Sequence, residues 1–271
     1  MAAGFLGGVN VTTFAKHRLT RPLFLQRLNR TLPGAYAGEI ARVKFMDEVM
    51  LSEIDGGLDE LVLLGAGLDS RPYRFADRLV GLRVFEVDHP ASQANKRVRL
   101  RRLLGEEPPG VRFVPVDFAR ADLATEMTRA GHDERAATFF IWCGVSGYLP
   151  EEPVMAVLSW VGAHTSARTS VVFDAPWASV LGDDSELYGA RELVRSTAAL
   201  GERLVWGIPD GQVDETLARV GLRAERILGE QALSTYVTRT DGSLLGRPYT
   251  TGVLVHARPA PRSTSSSASS A

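Results

Sequence analysis

Short apolar runs alternate along this chain with longer segments in which apolar and polar residues recur at helical spacing. Runs rich in Val, Leu, Ile and Phe, without a polar face, are typical of parallel strands that are buried on both sides. The pattern predicts strands at 60–64, 82–87, 112–116, 137–143, 169–174, 222–228 and 250–257. It predicts helices at 36–55, 91–104, about 121–130, 151–163 and 211–220. Strands that alternate with helices indicate an α/β fold whose doubly wound sheet is mostly parallel.

A glycine turn follows the first of these strands. The run Leu61–Leu64 leads directly into Gly65-Ala66-Gly67, and glycine allows a backbone to pass close to a ligand. Asp88 ends the next strand about 20 residues later, the spacing at which an acid meets ribose hydroxyls in nucleotide-binding folds. A glycine turn alone also ends many strands for purely structural reasons. The turn and the acid together predict an adenosyl cofactor.

The residues after the turn distinguish between adenosyl cofactors. A dinucleotide fingerprint has a third glycine where this chain has Ser70, and it places a pyrophosphate at the helix N-terminus. Asp69 would repel a pyrophosphate, whereas it suits a cofactor that carries an ammonium and a sulfonium group. The spacing therefore favours S-adenosylmethionine over NAD or FAD.

Four motifs occur in order along the chain, namely Gly65–Arg71, Glu86–Pro90, Phe113–Phe118 and Gly144-Val145-x-x-Tyr148-Leu149-Pro150. With these motifs the chain resembles the leucine carboxyl methyltransferase family, which also contains bacterial polyketide O-methyltransferases. The resemblance covers roughly residues 14–258. It implies a seven-stranded, Rossmann-like methyltransferase sheet in a single domain over 1–258, and S-adenosyl-L-methionine as the cofactor. It also implies a helical lid, to which we assign 1–35 and 177–200.

The resemblance assigns cofactor contacts to the ends of the first two strands. Gly65, Ala66 and Gly67 would pass under the methionine portion, and Asp88 would accept hydrogen bonds from both ribose hydroxyls. His89 would flank the ribose or the adenine. The structural alternatives are a plain turn for the glycines, a helix N-cap for Asp88 and an ordinary loop position for His89.

Further contacts are implied at the third strand and ahead of the first. Asp117 would accept from the adenine amino group while Phe118 contacts the ring; an Asx turn is the alternative for Asp117. Arg42 matches the family's arginine ahead of the first strand, where a guanidinium can clamp the cofactor's carboxylate. Lys16 or Arg18 would supply a second upstream cation.

The chain departs from the family pattern ahead of the fourth motif. Many members have a glutamate there, near the cofactor's amino group or sulfonium, whereas this chain has Trp142 and Cys143. We expect both residues to lie at the cofactor. A nucleophilic role for Cys143 is the weaker alternative to that of a small buried hydrophobe.

Methyl transfer depends on alignment of the acceptor with the methyl group more than on acid–base chemistry. The sequence contains no Ser–His–Asp or paired-carboxylate signature. We take Tyr148, Tyr188 and Arg191 as the catalytic candidates. Other candidates for the acceptor pocket are Ser146, Trp177 and His164. The sequence predicts no metal site. Packing in the core or lid is the alternative for each of these side chains.

Composition narrows the class of partner. With 45% hydrophobic residues the chain can bury one large core, and its net charge of −1 gives no electrostatic case for nucleic-acid binding. No apolar run approaches the ~20 residues of a membrane span, and the start lacks the basic region of a signal peptide. We expect a cytoplasmic enzyme, with a low-complexity, disordered tail at 259–271 and with neither nucleic-acid nor membrane partners.

The leading hypothesis is an O-methyltransferase that acts on a carboxylate or hydroxyl of a small molecule, such as a polyketide-like natural product. A protein C-terminal carboxyl methyltransferase is the nearest enzyme alternative. A non-catalytic S-adenosylmethionine-binding protein is a third, and the missing glutamate is the argument for it. An NAD-dependent oxidoreductase comes last because of Asp69 and Ser70.

Overall fold

A single mixed sheet is the framework of the computed structural model, which describes residues 21–182 and 184–261. Its strands are β1 Glu60–Leu64, β2 Arg83–Asp88, β3 Val111–Pro115, β4 Thr138–Trp142, β5 Ser170–Pro176, β6 Leu222–Leu228 and β7 Gly252–Pro259. The order across the seven-stranded sheet is β3-β2-β1-β4-β5-β7-β6. The strands β1 to β5 run parallel, and β7 lies antiparallel to both β5 and β6. The predicted α/β fold with a doubly wound, mostly parallel, Rossmann-like sheet is confirmed.

Helices connect the strands and cover both faces of the sheet. They are α1 Arg21–Thr31, α2 Ala35–Asp55, α3 Arg71–Arg74, α4 Pro90–Leu104, α5 Leu123–Arg129, α6 Glu151–Gly162, α7 Ala190–Ala199, α8 Val213–Arg219 and α9 Glu230–Tyr236. Short 3-10 turns lie at Ala76–Arg78, Ser146–Tyr148 and Ala178–Leu181. The helix predicted at 36–55 agrees with α2, which is capped by Gly56. The helix α9 was not predicted, and in 177–200 the α-helix begins only at Ala190.

Alternate residues of the strands supply the two cores. On one face Val62, Phe85 and Phe140 pack with residues of α5, α6 and α8, and on the other Leu61 and Phe139 pack with α2 and α9. Successive side chains of a strand point to opposite faces, so a strand that is covered on both sides must be apolar throughout. This requirement explains why the runs in the sequence located the strands.

A buried polar cluster closes the sheet at the amino ends of its strands. Glu60, the first residue of β1, contacts His132 Nδ1, and His132 Nε2 lies 2.9 Å from His164 Nε2. His164 Nδ1 lies 2.9 Å from the carbonyl oxygen of Trp160. The hypothesis that His164 lines an acceptor pocket is therefore wrong, because its ring belongs to this cluster, far from the glycine turn at the carboxyl end of β1.

Some expectations fall on residues that the structure does not describe. These are the first part of the proposed lid with Lys16 and Arg18, and the tail from residue 262 onward. Across 21–182 and 184–261, no helix has both the length and the apolar composition that crossing a bilayer requires.

Candidate active site

The carboxyl ends of the first four parallel strands surround a cavity of about 830 Å³. It is lined by residues 65–71 after β1, Asp88 at the end of β2 with His89 after it, 116–118 after β3 and 143–145 after β4. Open α/β sheets bind ligands at this end, at the point where the strand order reverses. Here the order reverses between β1 and β4, which are neighbours in the sheet. The cavity therefore occupies the place where this fold class binds its ligands.

The glycine turn forms one wall of the cavity and requires glycine at both ends. Gly65 has φ of 61°, and a Cβ there would overlap the side chain of Val145. Gly67 has φ of 42°, and the nearest atom to a Cβ there would be the Gly65 carbonyl oxygen at 3.8 Å. Packing thus excludes a side chain at Gly65, whereas at Gly67 only the left-handed backbone conformation disfavours one. Ala66 between them donates its N–H to the Val87 carbonyl.

Asp88 ties this turn to β2. Its Oδ2 accepts a hydrogen bond from the Gly67 N–H at 2.6 Å, and its Oδ1 accepts from the His89 N–H at 2.7 Å. Each carboxylate oxygen has a second lone pair, so Asp88 can still accept from a ligand in the cavity. The N-cap of α4 is His89, whose Nδ1 accepts from the Ala91 N–H at 3.3 Å. The alternative assignment of Asp88 as that N-cap is therefore wrong.

The segment after the turn is held by charge pairs. The Asp69 carboxylate accepts from the backbone N–H of Arg71 at 2.8 Å and also contacts its guanidinium. Arg71 Nε donates to Asp47 of α2 at 2.8 Å. Arg71 is only 3% exposed, although it lines the cavity. The helix α3 that begins there has a single turn.

A buried lysine of α4 also holds the segment that follows the glycine turn. Lys96 Nζ donates to the Asp69 carbonyl oxygen at 2.9 Å and lies 2.7 Å from a Glu86 carboxylate oxygen. The Tyr73 hydroxyl donates to the other Glu86 oxygen at 2.7 Å. Burial raises the pKa of Glu86, which Lys96 opposes, and burial and the Glu86 charge both raise the pKa of Tyr73. These contacts fix α4 and the turn relative to β2.

At the end of β3, Asp117 and Phe118 both line the cavity, as predicted for an adenine wall. Asp117 Oδ1 accepts from the Ala119 N–H at 3.1 Å, which is the Asx turn considered as its alternative role. Trp142 is fully buried and packs behind Phe118, with ring centroids 6.4 Å apart. Trp142 is not among the residues that line the cavity, so any contact of its ring with a cofactor would be indirect.

Cys143 forms part of the cavity floor beside two arginines. Burial raises the pKa of its thiol to about 12, although Arg42 and Arg71 favour the thiolate. Arg42 lies behind Gly144, donates to Asp174 at 2.7 Å and also pairs with Glu39. The other Asp174 oxygen accepts from the Gly144 N–H at 2.6 Å. Cys143 is thus a neutral thiol at neutral pH, and the Arg42 guanidinium lies next to Gly144 without being among the residues that line the cavity.

The structure does not bring the three catalytic candidates together in the cavity lining. Tyr148 is half-buried in the 3-10 turn between the lining residues Val145 and Leu149. The Tyr188 ring packs under the Arg247 guanidinium, 4.4 Å from its centroid, and Arg191 is exposed on α7. Neither Tyr188 nor Arg191 lines the cavity.

Glu202 lines the cavity and was missed by sequence reasoning. It lies between α7 and α8, close enough to Tyr148 that its charge, after the larger effect of burial, raises the pKa of that phenol. The backbone N–H of Val205 donates to the Gly147 carbonyl at 2.8 Å and holds this segment against the 3-10 turn. No local motif marks Glu202, because only the tertiary fold brings it to the cavity.

Comparisons with known proteins agree with this arrangement. A model of the leucine carboxyl methyltransferase family matches residues 2–162. The chain is 30% identical over 183 residues to "Putative S-adenosyl-L-methionine-dependent methyltransferase YktD" of Bacillus subtilis (strain 168), an alignment over 68% of this chain and 60% of that protein. It is 31% identical over 214 residues to "Putative S-adenosyl-L-methionine-dependent methyltransferase FRAAL3718" of Frankia alni, over 78% of this chain and 68% of that protein.

The first of these relatives is therefore matched over about three fifths of its length. The crystal structure of a "putative methyltransferase" from Thermobifida fusca YX superposes with a TM-score of 0.64 over 90% of each chain, at 16% identity. That likeness shows a shared fold. The family match covers more than half of the chain and includes the strand ends that form the cavity from β1 to β4. The chain belongs to the leucine carboxyl methyltransferase family.

Proposed function

We propose that this chain is an S-adenosylmethionine-dependent methyltransferase and that the cavity at the carboxyl ends of β1 to β4 binds the cofactor. One observation carries the proposal. The Gly67 N–H is bonded to the Asp88 carboxylate at 2.6 Å, and Asp117 follows at the end of the next strand, all facing one cavity. This order, a close-approach turn followed by two carboxylates on successive strand ends, supports binding of an adenosyl group with an amino-acid extension.

The residues present fit that cofactor part by part. Asp88 would accept from the ribose hydroxyls, with His89 beside it, and Asp117 from the adenine amino group, with Phe118 against the ring. The turn from Gly65 to Gly67 carries no side chain larger than the Ala66 methyl group that could hinder the methionine portion. The cavity of about 830 Å³ is within the range of small-molecule and cofactor sites.

A dinucleotide fits the same cavity poorly. Pyrophosphate binding depends on free N–H groups at the start of a helix and on the helix dipole. Here the N–H of Arg71, the first residue of α3, is already bonded to the Asp69 carboxylate, and α3 has only one turn. The negative charge of Asp69 opposes a pyrophosphate at this position. This geometry favours S-adenosylmethionine over NAD.

The acceptor would enter on the side of Val145, Leu149 and Glu202. The cofactor supplies a methyl group on a positively charged sulfur, and alignment of the acceptor oxygen with that methyl accounts for much of the catalysis. Burial raises the pKa of Tyr148, so its hydroxyl stays protonated, and it would donate a hydrogen bond to the acceptor if it turned toward the cavity from its place between Val145 and Leu149. A carboxylate acceptor needs no base, and Glu202, which lines the cavity, would take the proton of a hydroxyl acceptor.

For the acceptor we propose a carboxylate or hydroxyl of a small molecule, with a polyketide-like natural product as the first class to test. The resemblance of the four motifs to the family that contains bacterial polyketide O-methyltransferases supports this choice. The apolar acceptor wall formed by Val145 and Leu149 is suited to such a molecule. Roles for Tyr188 and Arg191 would require movement of the segment that carries them.

Calorimetric titration of the purified protein with S-adenosylhomocysteine, alongside NAD, tests the cofactor assignment. We expect micromolar binding of S-adenosylhomocysteine and no binding of NAD. Binding of NAD alone would overturn the proposal in favour of an oxidoreductase. Binding of neither ligand would overturn it as well and would leave the cavity without an adenosyl function.

A further inference from the structure

We propose that Lys96 is a positioning residue for the cofactor, because its ammonium group holds the Asp69 carbonyl and with it one wall of the cavity. The proposal rests on the proposed function, since it concerns how tightly the same cavity binds the cofactor. Lys96 belongs to α4 and is not among the residues that line the cavity, whereas Asp69 is. An effect of Lys96 on the ligand must therefore pass through the segment to which Asp69 belongs.

The ammonium group of Lys96 joins parts of the chain that are far apart in sequence. Its Nζ donates to the Asp69 carbonyl oxygen at 2.9 Å and lies 2.7 Å from a Glu86 carboxylate oxygen. The side chains of Lys96 and Glu86 are only 4% and 1% exposed, so water has little access to either group. Lys96 thus holds the Asp69 carbonyl at a fixed distance from β2.

The segment that Lys96 holds has no regular secondary structure of its own. Residues 65–70 belong to neither a helix nor a strand, and α3, which follows them, has a single turn. Backbone groups outside helices and sheets need other partners, such as side chains. The Asp69 N–H donates to the Ala66 carbonyl at 2.7 Å within the segment, and the Asp69 carbonyl accepts from Lys96. Lys96 therefore ties this irregular segment to the body of the fold.

Stability alone does not explain a buried ion pair at this place. Taking two charges out of water costs about as much as their attraction returns, and apolar side chains of similar volume often replace such a pair without loss. An apolar pair could not supply a donor for the Asp69 carbonyl. Glu86 is itself held, because the Tyr73 hydroxyl donates to its other oxygen at 2.7 Å, and so the ammonium has a fixed counter-ion. These contacts point to placement of the cavity wall as the task of Lys96.

Movement of the Asp69 segment would change the site directly. Residues 65–71 all line the cavity, and the Asp69 carboxylate also accepts from the Arg71 N–H at 2.8 Å. A binding site loses affinity when the groups around the ligand are displaced by about 1 Å. Without Lys96 the Asp69 carbonyl loses its donor, and we expect the segment to shift toward other partners.

Three variants separate this role from a purely structural one. Lys96→Met removes the ammonium and keeps a long, unbranched side chain. Glu86→Gln keeps Lys96 and its bond to Asp69, because the amide oxygen can accept from Nζ while the amide NH2 donates to the Tyr73 oxygen. The double variant, Lys96→Met with Glu86→Gln, lacks the ammonium but leaves no buried carboxylate without its counter-ion.

The affinity of the full chain for S-adenosylhomocysteine, measured by calorimetric titration, should follow the ammonium group. We expect affinity about ten-fold or more below wild type in Lys96→Met and in the double variant, and within about two-fold of wild type in Glu86→Gln. The urea midpoint should be lower in Lys96→Met than in the double variant. A residue that only stabilised the fold would make affinity and stability change together.

Lys44→Met is the matched control. Lys44 Nζ donates to the Tyr236 carbonyl oxygen at 2.8 Å, the same kind of bond, and Lys44 does not line the cavity. This variant should bind S-adenosylhomocysteine as tightly as wild type. Wild-type affinity in Lys96→Met would overturn the proposal. Equal losses of affinity in Glu86→Gln and Lys96→Met would overturn it as well, because the charge pair and not the bond to Asp69 would then govern binding.

Two further outcomes keep the proposal separate from the proposed function. If Lys96→Met does not fold, the double variant decides, because it lacks the same bond to Asp69 without an unpaired buried charge. Wild-type affinity in the double variant would overturn only the role of Lys96. If wild-type protein does not bind S-adenosylhomocysteine, the proposed function fails and this proposal fails with it.

Discussion

At the carboxyl end of β2, Asp88 both holds the Gly67 N–H and presents its remaining lone pairs to the cavity. Replacing it with asparagine keeps the shape of the side chain but removes its charge. We expect Asp88→Asn to weaken S-adenosylhomocysteine binding about ten- to hundred-fold, because hydrogen bonds to a charged group contribute about 1.5–3 kcal/mol. Calorimetric titration measures this change.

Asp122→Asn is the control for this experiment. Asp122 is exposed at the N-cap of α5, where its carboxylate accepts from the Ala124 N–H at 3.1 Å. Its replacement should not change the affinity for the ligand. If Asp88→Asn bound S-adenosylhomocysteine as tightly as wild type, Asp88 would be a support of the turn and not a ribose acceptor.

His164 makes the stability of the fold depend on pH. Burial, and then the neighbouring His132, lower the pKa of His164 from its ordinary value of 6.5. The unfolded chain therefore binds a proton at a higher pH than the folded protein does. Stability is full above about pH 6.5 and falls as the pH drops through the lowered pKa, by at most about 1.4 kcal/mol per pH unit for one proton.

We expect the midpoint of thermal unfolding of wild-type protein to fall between pH 7.5 and pH 5.5. In His164→Gln the dependence on pH over this range should be shallower, even if the variant is less stable at pH 7.5 because a buried partner of His132 has changed. Calorimetric melts of both proteins in matched buffers measure the difference. Parallel curves for the two proteins would show that His164 does not titrate in this range.

The sequence predicted the position of a site residue only where that residue directly follows a strand. Gly65, Asp88 and Asp117 follow apolar runs directly, so the topology of a parallel sheet places them at one edge. The contacts of Arg71 were not predictable, because its guanidinium turns back to Asp47 of α2, which lies 24 positions earlier. Glu202 was hidden for the same reason, since no pattern near it indicates a cavity.

The turn between β1 and α3 is the element on which ligand binding depends most directly. Gly67 has φ of 42°, and a Cβ there would meet no atom nearer than the Gly65 carbonyl oxygen at 3.8 Å. Gly67→Ala should therefore lower the free energy of unfolding only by the strain of a left-handed backbone, about 1–2 kcal/mol. The affinity for S-adenosylhomocysteine should fall about ten-fold or more, the equivalent of 1.4 kcal/mol of lost contact.

Gly81→Ala is the matched control for the strain alone. Gly81 has φ of 87° in an open turn, with no atom within 4 Å of a Cβ, and it does not line the cavity. Urea unfolding should give similar losses of stability in the two variants, and titration should show a loss of affinity in Gly67→Ala only. Equal affinities would mean that the ligand does not approach the Gly67 backbone.

The elements that could be predicted are those whose burial requires a recognisable run or pattern of apolar residues in the sequence. Strands covered on both faces, such as β1 and β4, are apolar after their first residue, Glu60 or Thr138, and were placed within about one residue. The edge strand β6 was located although most of its side chains are not buried, because it follows α8 closely and begins after Gly221. The helix α9 lacks a distinctive pattern, since only Leu233 of it is fully buried.

For the molecule as a whole, the position of the cavity follows from the connectivity of the sheet. The chain builds outward from β1 to β3 on one side and from β4 onward on the other, so the loops after β1 and β4 diverge to opposite faces and leave a crevice. The sequence predicted this arrangement through the alternation of strands and helices. The acceptor side could not be predicted, because segments far apart in the chain, such as 143–149 and Glu202, form it together.

A ligand that fills this crevice contacts the ends of four strands at once and should therefore stabilise the whole fold. At a concentration of about 100 times its dissociation constant, a ligand of the native state adds about 2.7 kcal/mol to the free energy of unfolding. For a chain of this size, that corresponds to a rise of about 5–10 °C in the midpoint of thermal unfolding. We expect S-adenosylhomocysteine to produce such a rise in wild-type protein and a smaller one in Asp88→Asn at the same ligand concentration. NAD at equal concentration should give none, and an equal rise with NAD would mean that the cavity recognises only the adenosine that the two ligands share.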